Sequence, residues 1–124
     1  MLTPIAYGLA ILIDLLIIFV GLRFFLVPDT AAAAFGVPAK SAGDAGPYLT
    51  VKGLRDFTSG VIGLVLLGLV GAHAEAWFMV AAALTPLGDT GIVLRNGGRK
   101  AEAFGIHFAT AVVVVISAVL LFLS

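Results

Sequence analysis

Four long apolar stretches, residues 5–27, 47–71, 76–94 and 104–123, alternate along the chain with short polar ones. At a helical rise of ~1.5 Å per residue, about 20 apolar residues cross a bilayer core of roughly 30 Å. A soluble domain of this length could not bury four such runs. The pattern predicts an all-α polytopic membrane protein: one four-transmembrane-helix bundle, a single domain covering residues 1–124.

The polar intervals refine this. After the first stretch comes Pro28-Asp29-Thr30, four alanines, then Phe35-Gly36-Val37-Pro38. Asp29 is placed to cap a helix N-terminus, alanines favour helix, Gly36 fits the position after the last turn and Pro38 ends it. A short interfacial helix in the first loop is expected, with Phe35 and Val37 dipping inward. Pro47 suits the first helical position of the second span. Ala72-His73-Ala74-Glu75 reads as a tight turn that leaves His73 and Glu75 solvated, and Trp77 marks an interface. Pro86 predicts a kink in the third span.

Composition then excludes several classes. Of 124 residues, 61% are hydrophobic and 11% charged, outside the range of soluble domains. Seven cations balance seven anions, so no nucleic-acid footprint is expected. The absence of cysteine removes disulfides, thiolate metal sites and a Cys nucleophile. A signal peptide is rejected because no basic residue precedes Ile5 and Asp14 interrupts the apolar run.

All seven basic residues fall in, or at the helix ends beside, loops 28–46 and 95–103. The positive-inside rule makes those loops cytoplasmic and both termini external. The expected location is a bacterial inner membrane.

Arg55 and Asp56 sit roughly 8–9 Å inside that boundary, Asp89 roughly 9 Å and His107 about 6 Å. A charged residue at a helix centre costs about 2.5–3.5 kcal/mol to insert, so these groups should face one another or a wet cavity. Ser59, Gly60 and Gly63 share a face with Asp56, Thr85 one with Asp89, and Thr110 one with His107. Gly60 and Gly63 would let a neighbouring backbone approach closely. The expected pocket takes a small amphiphile, lipid-like or terpenoid-like. Arg55, Ser59, Thr85 and Thr110 would bind it, and Asp56, Asp89 and His107 would carry acid–base chemistry. The bland alternative is plain interhelical pairing. Lys52, Arg99 and Lys100 are read as meeting lipid headgroups, and Arg23 as an interface anchor. Asp14, midway along the first span, is either protonated and hydrogen-bonded or a proton or ligand site. Asp56, Asp89 and His107 could ligate a metal, but no paired-His spacing supports one. No metal or cofactor is expected.

Three stretches carry a resemblance: Lys52-Gly53-Leu54-Arg55-Asp56 with Gly60, Pro86-Leu87-Gly88-Asp89, and Gly105-Ile106-His107. With Phe35-Gly36-Val37-Pro38 they resemble the small bacterial and fungal membrane proteins grouped as domain of unknown function family 4267. More distantly the chain is similar to DoxX-like four-helix membrane proteins. The resemblance implies four helices and brings no established activity.

Three functions follow as expectations. The first is an amphiphile-binding pocket acting as a cofactor-free isomerase or cyclase. The second is a small proton-coupled transporter using Asp14. The third is a non-catalytic membrane subunit or scaffold. The partners are the bilayer and a small amphiphile. The size of one bundle leaves homo-oligomerisation open.

Overall fold

The computed structural model describes residues 1–124, and it is helical with no strand. Four helices are long and apolar enough to cross a membrane: α1 (Leu2–Leu26), α3 (Gly46–Val70), α4 (Ala72–Arg95) and α5 (Lys100–Leu123). A short helix, α2 (Pro28–Phe35), follows the first span. This is an integral membrane protein by the length and composition of its helices.

The bundle runs up and down. α1 packs antiparallel on α3, with Gly21 opposite Gly53 and Asp14 opposite Gly60. α4 packs antiparallel on α5, with His73 and Trp77 against Phe122 at one end and Asp89 beside His107 at the other. α1 also packs on α5, which joins the two pairs. One end of the bundle therefore carries the first and third loops and the basic residues; the other carries the turn at Gly71.

Small residues set the closest approaches. A Cβ on Gly21 would lie 2.5 Å from the Phe57 amide nitrogen, and one on Gly60 would lie 2.5 Å from the Asp14 carbonyl oxygen. Glycine lets the α1 and α3 backbones meet where lipid supplies no hydrophobic drive for association. The core at the Gly71 end is likewise built on Ala6, Ala10, Ala76, Ala83 and Ala118, filled by Leu67, Met79, Val114 and Leu121. Large apolar side chains such as Leu16, Phe19, Leu69, Leu84 and Ile116 are exposed instead, as suits a surface solvated by acyl chains.

Three local features depart from simple helix geometry. The turn between α3 and α4 is one residue, Gly71, at φ 139° and ψ 170°, a backbone few L-residues adopt. The tight turn expected at residues 72–75 is therefore helix, and Glu75 lies in its first turn. α4 is interrupted at Ala83, three residues before Pro86, because proline has no N–H for the carbonyl one turn back. α3 ends and α5 begins in π-helical stretches, Leu66–Val70 and Ala103–Phe108; such wide turns often accompany functional sites.

α2 follows its sequence signals in part. Gly36 closes it in the left-handed conformation, φ 109°. Its N-cap is Val27, not Asp29. Asp29 lies inside the first turn, where its Oδ1 accepts the Ser41 backbone N–H at 2.7 Å. That bond folds the first loop back on the helix.

Candidate functional site

At the basic end, five elements converge. From α3, Lys52 turns inward and its Nζ donates to Asp56 Oδ2 at 3.0 Å, one helical turn away. The ammonium also lies over two rings, 5.1 Å from the centre of Phe24 on α1 and 4.8 Å from that of Phe35 on α2. On α5, His107 stacks obliquely on Phe35 with ring centres 4.3 Å apart, and its Nε2 lies 2.6 Å from the Phe35 carbonyl oxygen. That oxygen only accepts, so Nε2 carries the proton. Nδ1 then faces Asp89 Oδ2 of α4 at 4.0 Å. Asp56 and His107 are buried, and Asp89 is within electrostatic reach of Lys52, His107 and Asp56.

The first loop is clamped over this cluster from both sides. Gly36, left-handed, backs onto Val93 of α4 and Glu102 of α5, where a Cβ would lie 3.0 Å from a Val93 methyl. The Gly98 N–H donates to the Val93 carbonyl at 2.8 Å, and Arg99 pairs with Glu102 at 2.8 Å, which fixes the third loop beside it.

Beneath the loop lies a cavity of about 250 Å³. Phe24, Phe35, Tyr48, Leu49 and Ile92 line it with alanines of α2 and the loop, and Lys52 is its one charged lining residue. α3 and the second half of α4 pack only sparsely, and Leu49, Lys52 and Ile92 come from these two facing segments.

The sequence-derived site is thus partly assembled. Asp56, Asp89 and His107 come together. Arg55 does not join them: it lies on the outer face of α3 next to exposed Leu54, and is itself exposed. Consecutive helical residues are ~100° apart, so when Asp56 faces inward Arg55 cannot. Ser59 is half-buried on α3, while Thr85 is exposed, away from the cavity. Thr110 is exposed too, and its hydroxyl donates to its own helix at the Ile106 carbonyl. Lys52, assigned from sequence to lipid headgroups, is the cation that enters the cluster. Its i,i+4 spacing to Asp56 was the signal that could have placed it there.

A second polar site lies in the other half of the bundle. Asp14 of α1 and Glu75 of α4 are buried with their carboxyls within hydrogen-bonding reach of each other. Both crowd against Gly63 of α3, where a Cβ would collide with each. Glu75 is fully buried, not solvated, because the single-residue turn starts α4 early enough to carry it inward.

The family model for a domain of unknown function, DUF4267, matches residues 15–121. The chain belongs to this family. Within DUF4267 the match takes in Lys52, Asp56, Glu75, Asp89 and His107, and it begins one residue after Asp14. No curated protein and no solved structure matches the chain.

Proposed function

We propose that this DUF4267 protein binds a small amphiphile in the cavity beneath its first loop, with the polar end at Lys52 and the apolar body passing between α3 and α4 toward the acyl chains. One observation carries the reading: a single inward lysine at the edge of an otherwise apolar cavity. Ligand sites are typically apolar with a few placed polar groups, at volumes of roughly 300–1,000 Å³. The cavity's about 250 Å³ suits a head and the first part of a chain.

The charges select the head. Lys52 is already paired with Asp56, and Asp89 lies nearby, so the cluster carries no surplus positive charge. An anionic head would be repelled by these two carboxylates, which lie just behind Lys52. A neutral oxygen acceptor, such as an alcohol or ketone, can take an ammonium N–H left free by Asp56 without adding charge. The ligand class is therefore a neutral lipid-like or terpenoid-like amphiphile. Asp56, Asp89 and His107 do not line the cavity, and their atoms are engaged with Lys52, each other and Phe35. Their role in this reading is to hold Lys52 and the loop, and binding takes precedence over acid–base turnover. The basic end faces the cytoplasm under the positive-inside rule.

The test is equilibrium binding in nanodiscs of farnesol and of its carboxylate counterpart, farnesoate. Farnesol should bind the protein more tightly than farnesoate and lose at least tenfold on Lys52→Met, with Arg55→Met unchanged. Equal affinity of wild type and Lys52→Met would overturn the proposal. Orientation is read separately: the chain has no cysteine, so single cysteines at Asp44 and His73 report which end a membrane-impermeant thiol reagent reaches.

A further inference from the structure

The Asp14–Glu75 contact takes no part in the cavity described above. It joins α1 to α4, helices that otherwise barely pack, in the Gly71 half of the bundle. Asp14 is 3% exposed and Glu75 0%. Asp14 Oδ2 and both Glu75 oxygens have no hydrogen-bond donor among the side chains and backbone around them. Two ionised carboxylates enclosed in contact repel, and each unsatisfied oxygen carries the desolvation cost of a buried charge.

No cation of the chain relieves this. α3 beyond Asp56 has no ionisable residue and offers Gly63; α5 from Ala109 onward has none and offers the buried, unpartnered hydroxyl of Ser117. On α4 the nearest titratable group is His73, whose ring lies edge-on to Phe122. On α1 it is Tyr7, packed against the apolar core. On α3 the nearest cation, Arg55, is eight residues, roughly 12 Å, from Gly63 and exposed on the outer face, and Lys52 is eleven residues away and paired with Asp56. Nor is there room for a hydrated ion: the carboxyls fill the space a Gly63 Cβ would need.

We infer that Asp14 and Glu75 form a proton-binding site, one proton held between two carboxyl groups inside the membrane. The shared proton supplies the donor that neither carboxylate has. Its removal sets two like charges against each other and separates α1 from α4 at the Gly71 half of the bundle. The inference is independent of amphiphile binding at the opposite end.

Two readouts test it. A hydrophobic carbodiimide reacts with protonated carboxyls in apolar surroundings. Near neutral pH it should modify Glu75 or Asp14, located by mass spectrometry on the unaltered protein. The infrared carboxylic C=O band present near neutral pH should vanish in the folded Asp14→Asn/Glu75→Gln variant, in which the amide pair keeps size and supplies donors, and persist in Asp44→Asn. Absence of both adduct and band from the folded unaltered protein would overturn the inference. So would a band that survives in the double variant.

Discussion

The imidazole Nε2 of His107 lies 2.6 Å from the carbonyl oxygen of Phe35, 72 positions earlier in the chain. This bond ties the last helix to the end of α2, and the Phe35 ring it positions is also the one beneath the Lys52 ammonium. Replacing His107 with Phe keeps an aromatic ring but removes the donor. The orphaned carbonyl should cost about 1–3 kcal/mol. Thermal unfolding in detergent should fall accordingly, and the first loop should become more susceptible to protease. His107→Gln, which can still donate, should lie between the two.

Lys52 and Asp56 answer to a double-mutant cycle. Lys52→Met leaves a buried carboxylate without its donor. The loss should be about 1–3 kcal/mol, below the ~3–5 of a fully enclosed pair because Lys52 keeps some solvent contact. Lys52→Met/Asp56→Leu should recover most of it, since no charge is left unpaired. Additive losses in the double variant would show that the two side chains do not act as a pair.

The α1–α3 contact makes a prediction about glycines that look alike in sequence. Gly60→Ala forces a methyl group against the Asp14 backbone and should cost about 1–3 kcal/mol. Gly91→Ala meets nothing within 4 Å and should be neutral or stabilising by up to ~1 kcal/mol, from helix propensity alone. Comparable unfolding temperatures for the two variants would contradict the close approach.

Asp29 gives the first loop a pH dependence. The Ser41 backbone N–H that Asp29 accepts holds its carboxyl below the ordinary value of 3.8. A folded-state value below the unfolded one stabilises the loop above pH 3.8 and loses that stabilisation as pH falls through the lower folded value. Hydrogen exchange at the Ser41 amide should therefore gain protection, relative to Asp29→Ala, only on the high-pH side of that window. Equal protection in the two proteins across the window would remove the Asp29 contact from the account.

The span count and the α2 stop at Gly36 are legible in the sequence because they rest on local signals, namely apolar run length and glycine's backbone freedom. The convergence of Asp56, Asp89 and His107 is legible because lipid penalises charges wherever they are not gathered. Arg55 is misplaced by sequence reasoning because depth along a helix fixes height and leaves azimuth open; a one-residue step carries a side chain off the packing face. Glu75 escapes it because the turn closes on Gly71 alone, which a stretch of small and polar residues does not reveal. Lys52 reads as a headgroup ligand because its inward turn depends on Phe24 and Phe35, residues brought beside it only by the folded loop.

The amphiphile cavity is tested most directly by locating a bound probe. A diazirine-bearing farnesol analogue, photolysed in nanodiscs and mapped by mass spectrometry, should label the cavity walls, chiefly Phe35, Tyr48, Leu49 and Ile92, and excess farnesol should suppress that labelling. Labelling spread evenly over lipid-facing residues such as Phe19, Leu69 and Ile116, and indifferent to farnesol, would contradict the account.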